Sequence, residues 1–289
     1  MLSIGSSVSC CSKADRVGRD GFLRLVFERR GDRTVLTGRR FALPLQALEP
    51  SRRPDGSVYM MMLNPTGGTF GGDRLRTEVV LGAGTHAILT TPSASKIYRA
   101  LDNAARSETE ISIGEDAILE YLPDHLIPHP GAALRQKIAV TMAPGSCAII
   151  YDAIAAGRVG RDERWVFREI TTEISIHCGD SPWFVARSSL KPGIQPVGGP
   201  GLMDGFDYLG AIVAVGDRFG ASGGNVNALD AAVCSTAGVL GGASALGSNG
   251  LVAKFLTPNA DALSKTMFCG WSSARQQMIG EPGFDLRKL

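Results

Sequence analysis

The sequence predicts a mainly β protein with a short helical C-terminal part, on three observations. Short runs of alternating apolar and polar residues recur along the chain. Gly, Pro, Asp and Asn separate them at intervals of roughly 8 to 15 residues, the rhythm of an all-β sandwich, barrel or solenoid rather than a βαβ protein. One stretch near the C-terminus changes to the helical period.

The alternation is clearest in three places. Leu75, Thr77, Val79 and Leu81 share one face, with Arg74, Arg76 and Glu78 on the other. Ser107, Thr109, Ile111 and Ile113 alternate with Glu108 and Glu110, and Thr172, Ile174 and Ile176 with Glu173 and His177. Further strands are expected at Phe22–Phe27, Val58–Leu63, His86–Thr91, Ile118–Leu122, Lys137–Met142, Cys147–Tyr151, Trp183–Ala186, Leu209–Val215 and Leu251–Leu256. The Gly-x-Gly turns suit the close coil stacking of a solenoid. No strict repeat chooses among the three architectures.

From Asn259, residues Ala260, Leu263, Met267, Trp271, Ala274 and Met278 recur at the +3/+4 spacing of one helix face. Asn259 suits an N-cap, Asp261 the first turn, and Gly280 with Pro282 the stop, which places an amphipathic helix over about 259–279. A shorter helix is expected around Asn227–Ala237, inside a weakly periodic stretch from Gly193 to Gly250 that is rich in Gly, Ala and Ser. Residues 1–20 read as a flexible tail and 21–289 as a single domain.

With 289 residues and 44% hydrophobic content, the chain can bury a sizeable core. A net charge of +2 and the lack of a basic run with interleaved aromatics argue against nucleic acid as a partner. No apolar stretch approaches the roughly 20 residues of a membrane span. The Ser-rich start has neither a basic nor a long apolar region, so the expected location is the cytoplasm. Cys10 and Cys11 are adjacent and Cys147, Cys178, Cys234 and Cys269 scattered, without a Cys-x-x-Cys pair; reduced, mostly buried thiols are expected.

Several motifs resemble catalytic or binding signatures without their structural contexts. Gly82-Ala83-Gly84-Thr85-His86-Ala87 matches Gly-x-Gly-x-x-Gly/Ala, but the strand-like Ile88–Thr91 follows where a helix is needed to meet a pyrophosphate, so a β-turn is expected. Gly67–Gly72 lacks the Gly-Lys-Ser/Thr ending of a phosphate loop. His125 and His129 are four apart, yet Pro123, Pro128 and Pro130 forbid a regular helix, which leaves two loop histidines able at most to hold a metal weakly. His86 and His177 stand alone in strand-like runs. No Gly-x-Ser-x-Gly elbow is present. No enzyme mechanism emerges, and a hydrolase or nucleotide-binding enzyme on a β-scaffold is the alternative these motifs leave.

Asn64-Pro65-Thr66-Gly67-Gly68 and Phe70-Gly71-Gly72-Asp73 read as a double turn that delivers one acid beside the next strand. Lys96, Tyr98 and Arg99 follow another turn. Asp73, Glu120, Lys96 and Arg99 are placed by composition as mutually compensating groups of a polar interior.

Asn64–Asp73, then Leu89-Thr90-Thr91 with Lys96-Ile97-Tyr98-Arg99, then Leu119-Glu120-Tyr121-Leu122-Pro123 with Ile127-Pro128, then Gly157-Arg158 with Glu163 before Trp165, stand in the order and spacing of one family. The chain resembles UreD, called UreH in some organisms, from about residue 20 to 280. The resemblance implies a helix-like stack of strands with a helical C-terminal part and no catalysis by this subunit. It implies binding to UreF, which recruits the GTPase UreG, and engagement of apo-urease so that nickel reaches its active site. It implies no tightly bound cofactor, only nickel in transit through a polar tunnel, for which Asp73 and Glu120 are the expected acids and His125 and His129 further candidates. Asn64, Gly67, Gly68, Gly71, Gly72, Lys96, Tyr98, Arg99, Arg158 and Glu163 are the expected structural and polar-interior residues. Leu263, Met267 and Trp271 are expected to meet UreF. Two departures stand out: Ala186 in Trp183-Phe184-Val185-Ala186-Arg187, where relatives often carry an acid, and the ending Phe284-Asp285-Leu286-Arg287-Lys288-Leu289, without the Pro-Arg-x-Trp-like close of relatives.

Overall fold

Inward-facing side chains of successive strands line up in columns, and these columns wind the chain into a β-solenoid of about four turns. The computed structural model describes residues 19–219, 225–247 and 250–286. Most of the predicted tail, with Cys10 and Cys11, lies outside the described residues. Each turn lays one strand on a first sheet, passes a tight corner, lays a second strand on the opposing sheet and returns through a loop.

The first sheet holds the parallel strands Asp20–Arg30, Arg74–Leu81, Ala105–Ile113, Ala133–Met142 and Glu169–Cys178, flanked by antiparallel Arg33–Ala42 and Ser181–Leu190. Its registers stack Leu25, Val79, Ile111, Val140 and Ile176 into one buried apolar column. One face meets solvent, so these strands keep the alternation that made them legible.

The second sheet runs parallel through Val58–Leu63, His86–Thr90, Ile118–Leu122 and Cys147–Ala155, then antiparallel through Tyr208–Gly216, Gly250–Thr257 and Leu240–Ala245. It is covered on both faces and reads as near-continuous apolar runs: all five residues of His86–Thr90 and of Ile118–Leu122 are buried. Its inner face packs against the first sheet through Leu89, Leu119, Tyr121 and Ile150. Its outer face carries two helices, α1 (Val226–Cys234) and α2 (Ala260–Ile279). Both faces of this sheet are therefore apolar, and burial of apolar surface is the main favourable term in folding.

α2 begins where the capping residues predict. The Asn259 side chain accepts from the Ala262 N–H, and Gly280 ends the helix in the left-handed conformation. Leu263, Met267, Trp271, Ala274 and Met278 all face the sheet, in one apolar cluster with Ile88, Ile118, Ile149 and Tyr151. α1 begins at Val226, one residue before the expected Asn227, and ends at Cys234, short of Ala237. Among the described residues no helix is long and apolar enough to cross a membrane.

The Gly82–Thr85 segment is a turn, with the Thr85 N–H donating to the Gly82 carbonyl at 3.3 Å, and a strand follows it. The pieces that the pattern did not predict are short or edge elements: Arg33–Ala42, Gln46–Ala47, Ser51–Arg52, Ser95–Ile97, Leu126–Pro128, Gly157–Arg158, Glu163–Arg164 and Leu240–Ala245.

Candidate functional site

The Asn64–Asp73 loop forms one corner of the solenoid and is closed by its own polar groups. Asn64 accepts from the Thr66 N–H and hydroxyl at 3.2 and 2.6 Å and donates to the Gly68 carbonyl at 3.1 Å. The Thr69 N–H donates to the Lys96 carbonyl and the Tyr98 N–H to the Thr69 carbonyl, both at 2.8 Å, which ties this corner to the next coil. Gly68 has φ +157°, and a Cβ there would meet the Lys96 carbonyl oxygen and the Tyr98 ring at 2.6 Å, so no larger residue fits. Asp73 is buried and its carboxylate turns back to accept from the Phe70 N–H at 2.8 Å. Burial pushes this carboxyl up from its usual range, against the opposing Phe70 N–H and the Arg19 charge.

The expected grouping of Asp73 and Glu120 with Lys96 and Arg99 does not form. Lys96 and Arg99 are exposed at the corner: the inward position of the short strand Ser95–Ile97 belongs to Ile97, and Arg99 lies beyond that strand. Tyr98 stacks on Phe70 with ring centroids 4.6 Å apart and meets the His129 ring edge-on at the same distance. Burial, Arg158 and other nearby cations push His129 below the usual imidazole range, against Glu163. His125 pairs with Asp124 at 2.8 Å, away from that stack, with its ring against Tyr208. Arg158 and Glu163 face each other across the small ribbon Gly157–Arg158/Glu163–Arg164 and form a two-bonded ion pair. Among the described residues no three His, Cys, Asp or Glu side chains converge as a metal site.

Glu120 points out of the solenoid interior. Strand alternation turns Leu119 and Tyr121 inward and sends Glu120 beneath α2, where it is fully buried. There Trp271 Nε1 donates to one carboxylate oxygen, while His86 Nε2 and Arg275 Nε meet the other at 2.7 and 3.1 Å. The Arg275 guanidinium, itself 1% exposed, continues to Asp55 at 3.1 Å and to the Pro282 carbonyl at 2.9 Å. Burial alone would raise the Asp55 carboxyl; the Ser57 hydroxyl and N–H that donate to it hold it below its usual range instead. Leu263, Met267 and Trp271, expected on a partner-facing surface, are 3%, 7% and 0% exposed. They are core because their helix must cover the outer face of the second sheet; the exposed apolar residue of this helix is Phe268. The divergent C-terminus continues the same packing, with Phe284 edge-on to Trp271 and the Arg53 guanidinium 3.3 Å from the Phe284 ring centre. Residues 287–289 lie outside the described residues.

The polar interior takes Asn64, Gly67, Gly68 and Lys96 at its corner and is otherwise built from side chains that were not expected there. Between the two sheets lies a cavity of about 280 Å³ that reaches from the Gly67–Thr69 corner past Thr77, Ser107, Thr109 and Gln136 to Asp152. A second cavity, of about 310 Å³, begins at Asp152 and passes Thr172 and Ala186 toward Lys254. Register explains the lining: Ser107, Gln136 and Thr172 are aligned on successive strands, as are Thr77 and Thr109 two residues on, on the same face. Asp152, inward-facing two residues after buried Ile150, is the carboxylate common to both cavities. Burial pushes its pKa up to about 6, against a hydrogen bond from Thr172 and the charge of Lys254. A carboxylate in the apolar run Cys147–Ala155 was the available signal; ending the predicted strand at Tyr151 hid it. Ala186 sits in the wall of the second cavity, so the acid absent from this position is absent beside Asp152.

A capped β-solenoid with polar-lined cavities in its interior is the class of protein that fold and site define. Membership is settled by comparison: the chain belongs to the UreD urease accessory protein family, whose model matches residues 19–288. It is 32% identical over 269 residues to a urease accessory protein UreD of Cupriavidus pinatubonensis, covering 92% of each chain. It is also 32% identical to urease accessory protein UreD 2 of Streptomyces griseus, with 93% of each chain covered, and 28% identical to the UreD of Haloarcula marismortui.

Two predictions follow the buried groups. Glu120→Gln removes the fully buried counterion of Arg275, leaving only the more exposed Asp55 and Glu281, and should cost about 3 kcal/mol in urea unfolding. The double variant Glu120→Gln/Arg275→Met should lose clearly less than the sum of the singles; additive losses would mean that the two groups are uncoupled. For Asp152, the folded pKa of about 6 exceeds the unfolded value of about 3.9, so folding takes up a proton between them. Wild-type stability should therefore fall as pH rises from about 4 to about 6, and Asp152→Asn should flatten that segment and be more stable at pH 7 by on the order of 2 kcal/mol. Melting temperatures of both proteins across that range check it.

Proposed function

We propose that this chain is a non-enzymatic scaffold for assembling the nickel centre of urease, bridging apo-urease and a UreF–UreG complex, with nickel passing through its interior. Family membership supports the urease context. The observation that carries the transit reading is the polar lining of the solenoid. Aliphatic side chains would fill these positions at lower cost, since buried polar groups without full partners are expensive. Instead, the Thr77, Ser107, Thr109 and Thr172 hydroxyls, the Gln136 amide and the Asp152 carboxylate face two cavities that meet at Asp152.

The chemistry of that lining suits passage rather than storage. Nickel accepts oxygen and nitrogen donors, and affinity rises with the number of charged and imidazole ligands. Asp152, the carboxylate shared by the two cavities, attracts a divalent cation without trapping it, since its neighbours there are hydroxyls, an amide and the Lys254 cation. With a pKa of about 6, Asp152 is mostly ionised at neutral pH and loses its charge in mild acid. On this reading Asp152 takes the part that the sequence alone suggested for Asp73 and Glu120, whose carboxylates already bond to their own surroundings.

Co-expression of apo-urease with the accessory proteins tests the proposal. Omitting this chain should abolish most nickel-dependent urease activity. Asp152→Asn should leave co-purification with UreF and apo-urease intact and lower nickel per urease active site severalfold. Full nickel occupancy with the Asn variant would remove Asp152 from the path, and full activity without the chain would end the scaffold reading.

A further inference from the structure

The outer face of the first sheet holds two adjacent charge columns built on opposite principles. In one, Arg76, Glu108, Lys137, Glu173 and Arg187 are neighbours across successive strands and alternate in sign. Arg187 donates two hydrogen bonds to Glu173, at 2.7 and 3.0 Å. Opposite charges directly across a ladder stabilise it and like charges oppose it. Two residues along the same strands, the pattern breaks: Arg74, Arg106 and Arg135 are direct neighbours, all positive and all exposed.

Parallel strands lie about 4.8 Å apart, so these guanidiniums form a close row of like charge. No ion pair engages any of the three among the described residues. Arg168 lines the same groove and is held in place by the Ala100 and Asp102 carbonyls at 3.3 and 3.1 Å. The row lines an open groove of about 570 Å³, with Gly72 and Asn103 in its wall. The chain neutralises its cations in the adjacent column, so it is able to do so here and does not.

We propose that this groove binds an acidic segment of another protein. Three features select that ligand from other polyanions. Asp20, Asp102 and Glu169 stand among the arginines and would repel a continuous phosphate chain, whereas discrete carboxylates with gaps between them fit such a surface. Phe70 and Leu101, close in sequence to the wall residues Gly72 and Asp102, are 47% and 80% exposed, giving the mixture of Arg and apolar anchors found at protein interfaces. The chain's two ends lack the negative charge that the groove calls for: residues 1–18 set Lys13 and Arg16 against Asp15, and residues 287–289 are Arg-Lys-Leu. The inference is independent of nickel transit, since it concerns the outer face and not the interior.

Fluorescence anisotropy with the purified full chain tests it. The probe is a labelled peptide of about a dozen residues, half of them glutamate with leucines between, of the extended or helical kind that grooves recognise. Binding should weaken as salt rises and should fall at least about tenfold in Arg74→Glu/Arg106→Glu/Arg135→Glu. Arg33→Glu, an exposed arginine on another strand, should leave it unchanged, and thermal melting should confirm that both variants fold. Absence of binding, equal binding by the triple variant, or tighter binding of inorganic triphosphate or single-stranded DNA than of the peptide would each overturn the proposal.

Discussion

The buried carboxylate of Glu120 is the constraint around which the architecture is arranged. An ionised carboxylate with no accessible surface costs several kcal/mol unless every lone pair is engaged. Its three partners come from two distant places in the chain: His86 on the preceding coil, and Trp271 and Arg275 more than a hundred residues later on α2. Only when α2 docks in one register are all of them present. Apolar burial supplies the affinity of helix for sheet, while this network fixes the angle and position at which they join. Arg275 then passes the constraint on to Asp55 and the Pro282 carbonyl, which draws in the loop before Val58–Leu63 and the chain end after α2.

That arrangement leaves the interior free for another purpose. With the second sheet already stabilised on its outer face, the inner surface need not be wholly apolar. One end of the space between the sheets is a dense apolar cluster around Leu25, Val79, Ile111 and Val140. The other carries Thr77, Ser107, Thr109, Gln136 and Asp152. The same registers that stack aliphatic side chains into a column stack the hydroxyls and the amide into a path. A solenoid suits this, because an identical strand position recurs in each coil and a property placed there becomes continuous.

Much of the fold was legible in the sequence, and the reason lies in solvent. Strands of the first sheet face water on one side, so their alternation identified them and placed their inward residues. Strands of the second sheet are buried on both faces; their apolar runs located them but concealed which residues point inward. Glu120 and Asp152 were ambiguous for that reason, although both lie in predicted or adjoining strand sequence. The helix face of α2 was read correctly as apolar and assigned to a partner, when the chain's own second sheet required it. Family motifs located the Asn64–Asp73 corner, but the direction of the Asp73 side chain depends on a three-residue backbone clasp that spacing does not encode. The arginine column was invisible for a different reason: Arg74, Arg106 and Arg135 are about thirty residues apart, and only solenoid winding makes them neighbours.

The claim that metal travels through the interior is tested most directly by closing the path without touching its charge. Ser107→Phe places a ring in the cavity between Thr77, Gln136 and Asp152 and keeps the outer surface of the chain unchanged. Nickel content of urease matured with this variant is the deciding quantity, measured alongside a melting curve and co-purification with UreF and apo-urease. An interior path predicts a folded, partner-bound variant that yields urease with a small fraction of the normal nickel. Normal nickel occupancy from the same assembled complex would contradict it and place the route of the metal outside this chain.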